Sequence, residues 1–147
     1  MKEPIFTYKD GYAKCIAEDN MGRQFIGEAW CADEDKDFES MIMGSTIAEM
    51  RAQIEAAKTY RNDLKIKLFA LNLLYYSMKH SKKFNPKGYE ASMLWRQIKL
   101  TKSDLEIAKH QLAVLKLDLF EYINDKDNYH KKIRKMREQD VKMHDDK

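Results

Sequence analysis

The stretch "HSKKFNPKGY", residues 80–89, decides how this chain is read. Pro86 pushes Asn85 away from the helical region and Gly88 frees the backbone, so a helix arriving from upstream has to stop here. The same pattern lies on both sides of the break. Upstream, Ile47, Met50, Ile54, Ala57, Arg61, Leu64, Leu68, Leu71, Tyr75 and Met78 recur in alternating steps of three and four. Downstream, Leu94, Ile98, Thr101, Leu105, Ala108, Leu112, Leu115, Leu119, Tyr122, Lys126, Tyr129, Ile133 and Met136 do the same. Two stripes of 3.5 period joined by a short bend make an antiparallel helical hairpin of coiled-coil type. Folding the chain at residues 84–85 sets Ile47 beside Tyr122 and Arg61 beside Ala108.

Thr46 and Glu49 form a capping-box pattern, the hydroxyl taking an orphan amide while the carboxylate reaches back. The first helix is therefore expected over about 46–80 and the second over about 89–138, with a disordered tail at 139–147. The second helix outruns the first, and Tyr129, Ile133 and Met136 on the surplus turns need another cover. A second stripe on the first helix, Ile66, Phe69, Leu73 and Tyr76, also seeks one. Both features favour a homo-oligomer.

Upstream of the helices, Tyr12 to Glu18 and Arg23 to Cys31 are rich in β-formers, with Asn20-Met21-Gly22 between them as a turn. A further strand is expected in Phe6 to Lys9 or around Met41 to Met43. Two strands alone are marginally stable, so the ribbon, about 5–43, lies on something else. The fold class is α+β, an N-terminal antiparallel β ribbon packed on a long two-helix hairpin, in a single domain over 1–147.

Charge is segregated along the chain. From Lys9 to Ser40 four basic residues face nine acidic ones, whereas Lys126 to Arg137 holds six basic residues and Asp127 alone. Charged residues make up 35% of the chain, above the usual quarter or so, which suits long exposed helices. No apolar run is long enough to span a bilayer, and Met1 to Tyr8 lacks the apolar core of a signal peptide, so a cytoplasmic protein is expected. Folding about Asn20-Met21-Gly22 sets Cys15 opposite Gly27 and away from Cys31, so two reduced thiols are expected. Two cysteines and four scattered histidines make no zinc site.

No nucleophile–base pair, paired carboxylates or phosphate-binding glycine loop emerges, so a non-enzyme with no cofactor is expected. The basic turns carry the sharper chemistry. Arg134 and Arg137 share a helical face, and their guanidinium forks suit phosphate, with Tyr129 and His130 one turn below. A solvated helix end that suits the macrodipole, or neutralisation by Asp19, Asp33 or Asp37, explains the same residues blandly. Arg51 lies in the first turns of the first helix, where an anion is favoured, or else pairs with Glu55. Arg61 on a core stripe fixes register more often than it binds a ligand. At the hairpin bend, Phe84 and Asn85 can stack on a nucleobase and bond its edge, or simply close the turn. Localised charge on a near-neutral chain fits a small, multiply charged ligand better than extended nucleic acid.

The phrases "YAKCIAEDN", "GSTIAEMRAQI", "LNLLYYSM", "FNPKGYEASMLWRQIKL" and "YINDKDNYHKKIR" give the chain a layout similar to the first type of Thoeris anti-defence sponge, a family of small phage proteins. The resemblance covers nearly the whole chain. It implies an oligomeric, non-enzymatic protein that sequesters a cyclic ADP-ribose signal, and cyclic oligonucleotides as well, in the host cytoplasm. It also implies arginines for the phosphates, drawn from Arg51, Arg61, Arg134 and Arg137, and Phe84, Asn85 or Tyr129 for the base, contributed across a subunit interface. The rival readings are a coiled-coil inhibitor of a host defence protein, of the anti-CRISPR kind, and a weak nucleic-acid-binding regulator.

Overall fold

The computed structural model describes residues 2–31, 40–81 and 83–145, with side chains through 142. The fold is α+β. Strands β1 (Ile5–Lys9), β2 (Tyr12–Glu18) and β3 (Gln24–Trp30) precede helices α1 (Met41–Lys79) and α2 (Tyr89–Asp145). The strands form one antiparallel sheet in the order β1-β2-β3. Contacts gather the chain into two compact units. The first comprises Met1–Glu55 with Leu115–Lys147, the second Ala56–Val114, and each helix contributes to both.

Asp10-Gly11 settles where the third strand lies. Asp10 has φ 50° and Gly11 φ 81°, the backbone that a two-residue hairpin turn requires at both positions. Lys9 therefore pairs with Tyr12 and Ile5 with Ile16, which makes β1 the third strand, while Met41 to Met43 begin α1. Between β2 and β3 the turn is built by Asp19. Its Oδ1 accepts from the amides of Met21 and Arg23 at 2.9 Å each, its Oδ2 pairs with Arg23 Nε at 2.7 Å, and Gly22 takes φ 81°. Cys15 stands opposite Gly27, and Cys15 and Cys31 are not joined in a disulfide.

Side chains alternate along β2 and β3, so Ala13, Cys15, Ala17, Phe25 and Ala29 turn inward. This inner face is small-chained, and α1 sits very close to it through Ala48 and Ala52, both fully buried. Gly27 is the point of closest approach, where a Cβ would strike the backbone of α1 at Ala48 and Ala52. Ile47, Leu119, Tyr122 and Ile123 complete this core. In the second unit Leu64 packs with Leu105 and Ala108, and Leu68 joins them. Ile47 by Tyr122 and Leu64 by Leu105 is the register that folding at residues 84–85 predicts. Thr101 sits on the buried stripe without penalty, because its hydroxyl donates to the Gln97 carbonyl at 2.8 Å.

Three helix features differ from expectation. First, α1 starts at Met41, five residues before Thr46. Ser40 is the cap, its Oγ accepting from Met43 N at 3.2 Å, while Thr46 is already inside the helix and donates back to Ile42 O at 2.7 Å. Second, α2 runs to Asp145, past the expected end near 138. It meets no glycine or proline there, and Arg134–Glu138 and Glu138–Lys142 are spaced for helix-stabilising charge pairs. Third, the buried seam of α2 shifts phase near its end: Tyr129 is 53% exposed, whereas His130 is 3% exposed. A straight helix of 3.6 residues per turn drifts about 20° per heptad against a 3.5 repeat, and here the drift hands the inward position to the next residue.

Candidate functional site

The seven candidate residues separate by unit. Arg51, Tyr129, Arg134 and Arg137 belong to the first, and Arg61, Phe84 and Asn85 to the second.

In the first unit the start of α1 and the start of the basic turns do come together. Met43, Gly44 and Ile47 line one cavity with Lys126 and His130, closed by Tyr8, Ala29 and Cys31 from the sheet end. Its volume is about 40 Å³. That is far below the roughly 300–1,000 Å³ of small-molecule sites, so the space is too small for a nucleotide. Arg51 is turned to another use, its Nη1 donating to the Glu28 carbonyl at 2.7 Å and tying α1 to β3. Arg134 is half-buried and Arg137 exposed. Asp19 is committed to Arg23, which removes it as the neutraliser of the basic turns. Asp33 and Asp37 lie outside the described residues. His130 was passed over as core in the sequence because the strict 3.5 count favours Tyr129, whose ring lies 6.1 Å from the imidazole. Burial raises the pKa of the Cys15 thiol, and the Glu49 carboxylate adds to the shift.

In the second unit Phe84 and Asn85 line a recess of about 440 Å³ at the hairpin bend, together with Met78, Lys83, Tyr89 and Glu90. That size lies within the range of small-molecule sites. A depression of about 570 Å³ continues from it past Leu74 and Met93, sharing Met78, Tyr89 and Glu90. The local chain explains both candidate side chains. Asn85 Oδ1 accepts from Lys87 N at 3.1 Å and Asn85 O from Gly88 N at 2.9 Å, so the amide oxygen shapes the turn and the NH₂ group is left to donate. Phe84 meets Tyr75 edge-on at 6.1 Å, Tyr75 meets Trp95 at 5.5 Å, and Lys99 Nζ stands 5.5 Å from the Trp95 ring. This aromatic series fixes the ring in place.

Arg61 does not reach the recess. It is half-buried on α1, 18 positions before Lys79, a distance of about 27 Å along the helix at about 1.5 Å per residue. Its Nη2 donates to Asn62 Oδ1 at 3.5 Å, and its Nε is buried without a hydrogen-bond partner among the described residues. One ligand cannot touch Arg61 and Phe84 of the same chain. Among the described residues no group of three or more His, Cys, Asp or Glu could hold a metal ion, and no helix is long and apolar enough to cross a membrane.

No family model, curated protein or solved structure matches this chain.

Proposed function

We propose that the protein is a non-enzymatic phage anti-defence sponge, which binds and sequesters a cyclic nucleotide immune signal of the cyclic ADP-ribose class, with cyclic oligonucleotides as related ligands. The recess at the hairpin bend carries this reading. It is the right size for a nucleoside, and it pairs an aromatic ring held by neighbouring rings with an amide whose NH₂ group can bond a base edge. Among the described residues its one cation is Lys83, and Arg61 lies too far along α1 to help, which favours phosphate contacts from a second copy. The exposed stripe of Ile66, Phe69, Leu73 and Tyr76 on α1 supports such an assembly, because apolar rows of this kind on a helix mark a contact surface.

Isothermal titration of the intact protein with cyclic ADP-ribose isomers, followed by heat release and chromatography of the ligand, tests the proposal. Tight binding with recovery of unaltered ligand is expected. Phe84→Ala should weaken it by roughly tenfold or more, since stacking on a ring contributes about 1–3 kcal/mol per base. No binding of any isomer or cyclic oligonucleotide sinks the reading.

The same exposed stripe favours a second reading, a coiled-coil protein that grips a host defence protein. Arg134→Ala with Arg137→Ala separates the classes. A sponge loses ligand and keeps its assembly, a coiled-coil inhibitor is little changed, and a nucleic-acid binder shows a flatter salt slope.

A further inference from the structure

Charge divides between the two units. Ala56–Val114 carries twelve Lys and Arg against four Asp and Glu, whereas the rest of the chain carries fifteen against twenty. A near-neutral total thus contains a strongly basic second unit, and helical phase gathers its charges further.

Within this unit Leu64 packs with Leu105 and Ala108, and the Tyr75 ring lies 5.5 Å from Trp95, which fixes the register of the two seams. The residues directly after Leu64, Leu71 and Met78 on α1, and after Leu94, Thr101 and Ala108 on α2, flank the same side of an antiparallel seam. On α1 they are Lys65, Asn72 and Lys79, and on α2 Trp95, Lys102 and Lys109. Members of each row are seven residues, or about 10.5 Å, apart along the helix. Neither row contains an acid. The opposite flank follows the usual rule, since the same register sets Lys67 of α1 level with Asp104 of α2.

Like charges flanking one seam lower the stability of a helix pair, so folding gains nothing from this arrangement. Lys65, Lys79, Lys99 and Lys102 are exposed and make no ion pair among the described residues. The nearby carboxylate of Glu106 is taken by Lys109 at 3.3 Å.

We propose that this flank of the second unit binds single-stranded nucleic acid, holding phosphates between the lysine rows and a base on Trp95. A chain of anions relieves the repulsion between the rows. Trp95 is 44% exposed, with Lys99 Nζ 5.5 Å from its ring, so a stacking surface and a cation stand together. Asn72, three residues before Tyr75, comes within a turn of Trp95 along the seam and adds an amide able to bond a base edge. In a duplex the base faces are already stacked, so an exposed ring among lysines selects an unpaired strand. None of these residues lines the recess at the bend, and the inference is independent of the sponge reading.

Fluorescence of the intact protein tests it. In a Trp30→Phe background Trp95 is the only tryptophan, and its emission should fall as oligo(dT) or oligo(rU) is added. Anisotropy of labelled strands gives the salt dependence. Four lysines on phosphates predict a slope of log K against log salt of roughly −3, at about −0.7 per contact. Lys65→Gln with Lys102→Gln should weaken binding roughly tenfold or more at low salt and flatten the slope by about 1.4. Lys67→Gln with Arg96→Gln removes the same charge from elsewhere on the unit and should leave binding near wild type. All four side chains are exposed, so the fold is kept. The sugar that binds more tightly identifies the strand. Duplex or polyphosphate binding as tight as that of a single strand, no change in Trp95 emission, or equal losses from the two pairs overturns the inference.

Discussion

Gly27→Ala is the smallest change that asks whether the sheet is held as described. A Cβ at residue 27 would overlap the carbonyl oxygen of Ala48, and it would lie 2.5 Å from Ala52 N and 2.9 Å from Ala48 C. All three are backbone atoms of α1, so no rotamer change relieves the clash. The helix has to retreat by something over 1 Å, and Ile47, Ala48 and Ala52 then lose van der Waals contact with Ala13, Cys15 and Ala29. Overpacking of this kind costs about 1–3 kcal/mol, and a rigid neighbour puts the loss at the upper end, about 3 kcal/mol. For a chain of this size that is a fall in Tm of about 6–12 °C. The two tryptophans separate the units, Trp30 lying in the first and Trp95 in the second. In a Trp95→Phe background, Trp30 fluorescence should lose its transition early while helical circular dichroism from the second unit persists. Gly44→Ala is the control. Its Cβ would meet the Ala13 methyl at 3.2 Å and Tyr8 Cε2 at an ordinary 3.8 Å, and the gain in helix propensity of about 1 kcal/mol offsets the closer contact. A Gly27→Ala protein within about 0.5 kcal/mol of wild type, the ordinary spread for surface substitutions, would refute the close packing of β3 on α1.

Three further outcomes follow from single residues. Ser40→Ala should destabilise by about 1 kcal/mol in urea unfolding, whereas Thr46→Ala should not, because the first caps the helix and the second bonds back within it; equal losses would return the helix start to Thr46. At pH 8 a disulfide reagent should titrate Cys31 in the native protein and reach Cys15 only on unfolding, since burial and then Glu49 raise the Cys15 pKa and suppress its thiolate; rapid reaction of both thiols would contradict the core. Desolvation raises the Asp19 pKa, but the Arg23 side-chain bond, the amides of Arg23 and Met21 and the Arg23 charge outweigh it, so the carboxyl titrates below its usual range. Its contribution to stability is thus present above the unfolded pKa of about 3.9 and lost as pH falls through the lower folded value, and Asp19→Asn should flatten the acid limb of the stability curve; an unchanged limb would count against the turn.

The hairpin and its register were legible because both arise from local rules. Proline and glycine end a helix wherever they stand, and a stripe repeated every three and four residues can bury only one face. Every upstream stripe position from Ile47 to Met78 is accordingly buried or half-buried. The β2–β3 pairing was legible for a similar reason, since the turn at Gly22 fixes which residues oppose each other. Of the candidate site, Phe84 and Asn85 could be placed at the bend by their neighbours in sequence. The arginines could not be assigned, because a guanidinium on a long side chain is placed by what it finds in space.

Sequence alone therefore determined the element types and the fold-back point, both set by interactions within a few residues or by side-chain periodicity. Tertiary structure decided the rest. It turned Arg51 onto the Glu28 carbonyl, put His130 rather than Tyr129 inside, and left Arg61 several helical turns from the recess. The Arg51 contact depends on where α1 crosses the strands, a crossing set by the close fit of Gly27 against Ala48 and Ala52, residues too far apart in sequence for any local pattern to reveal.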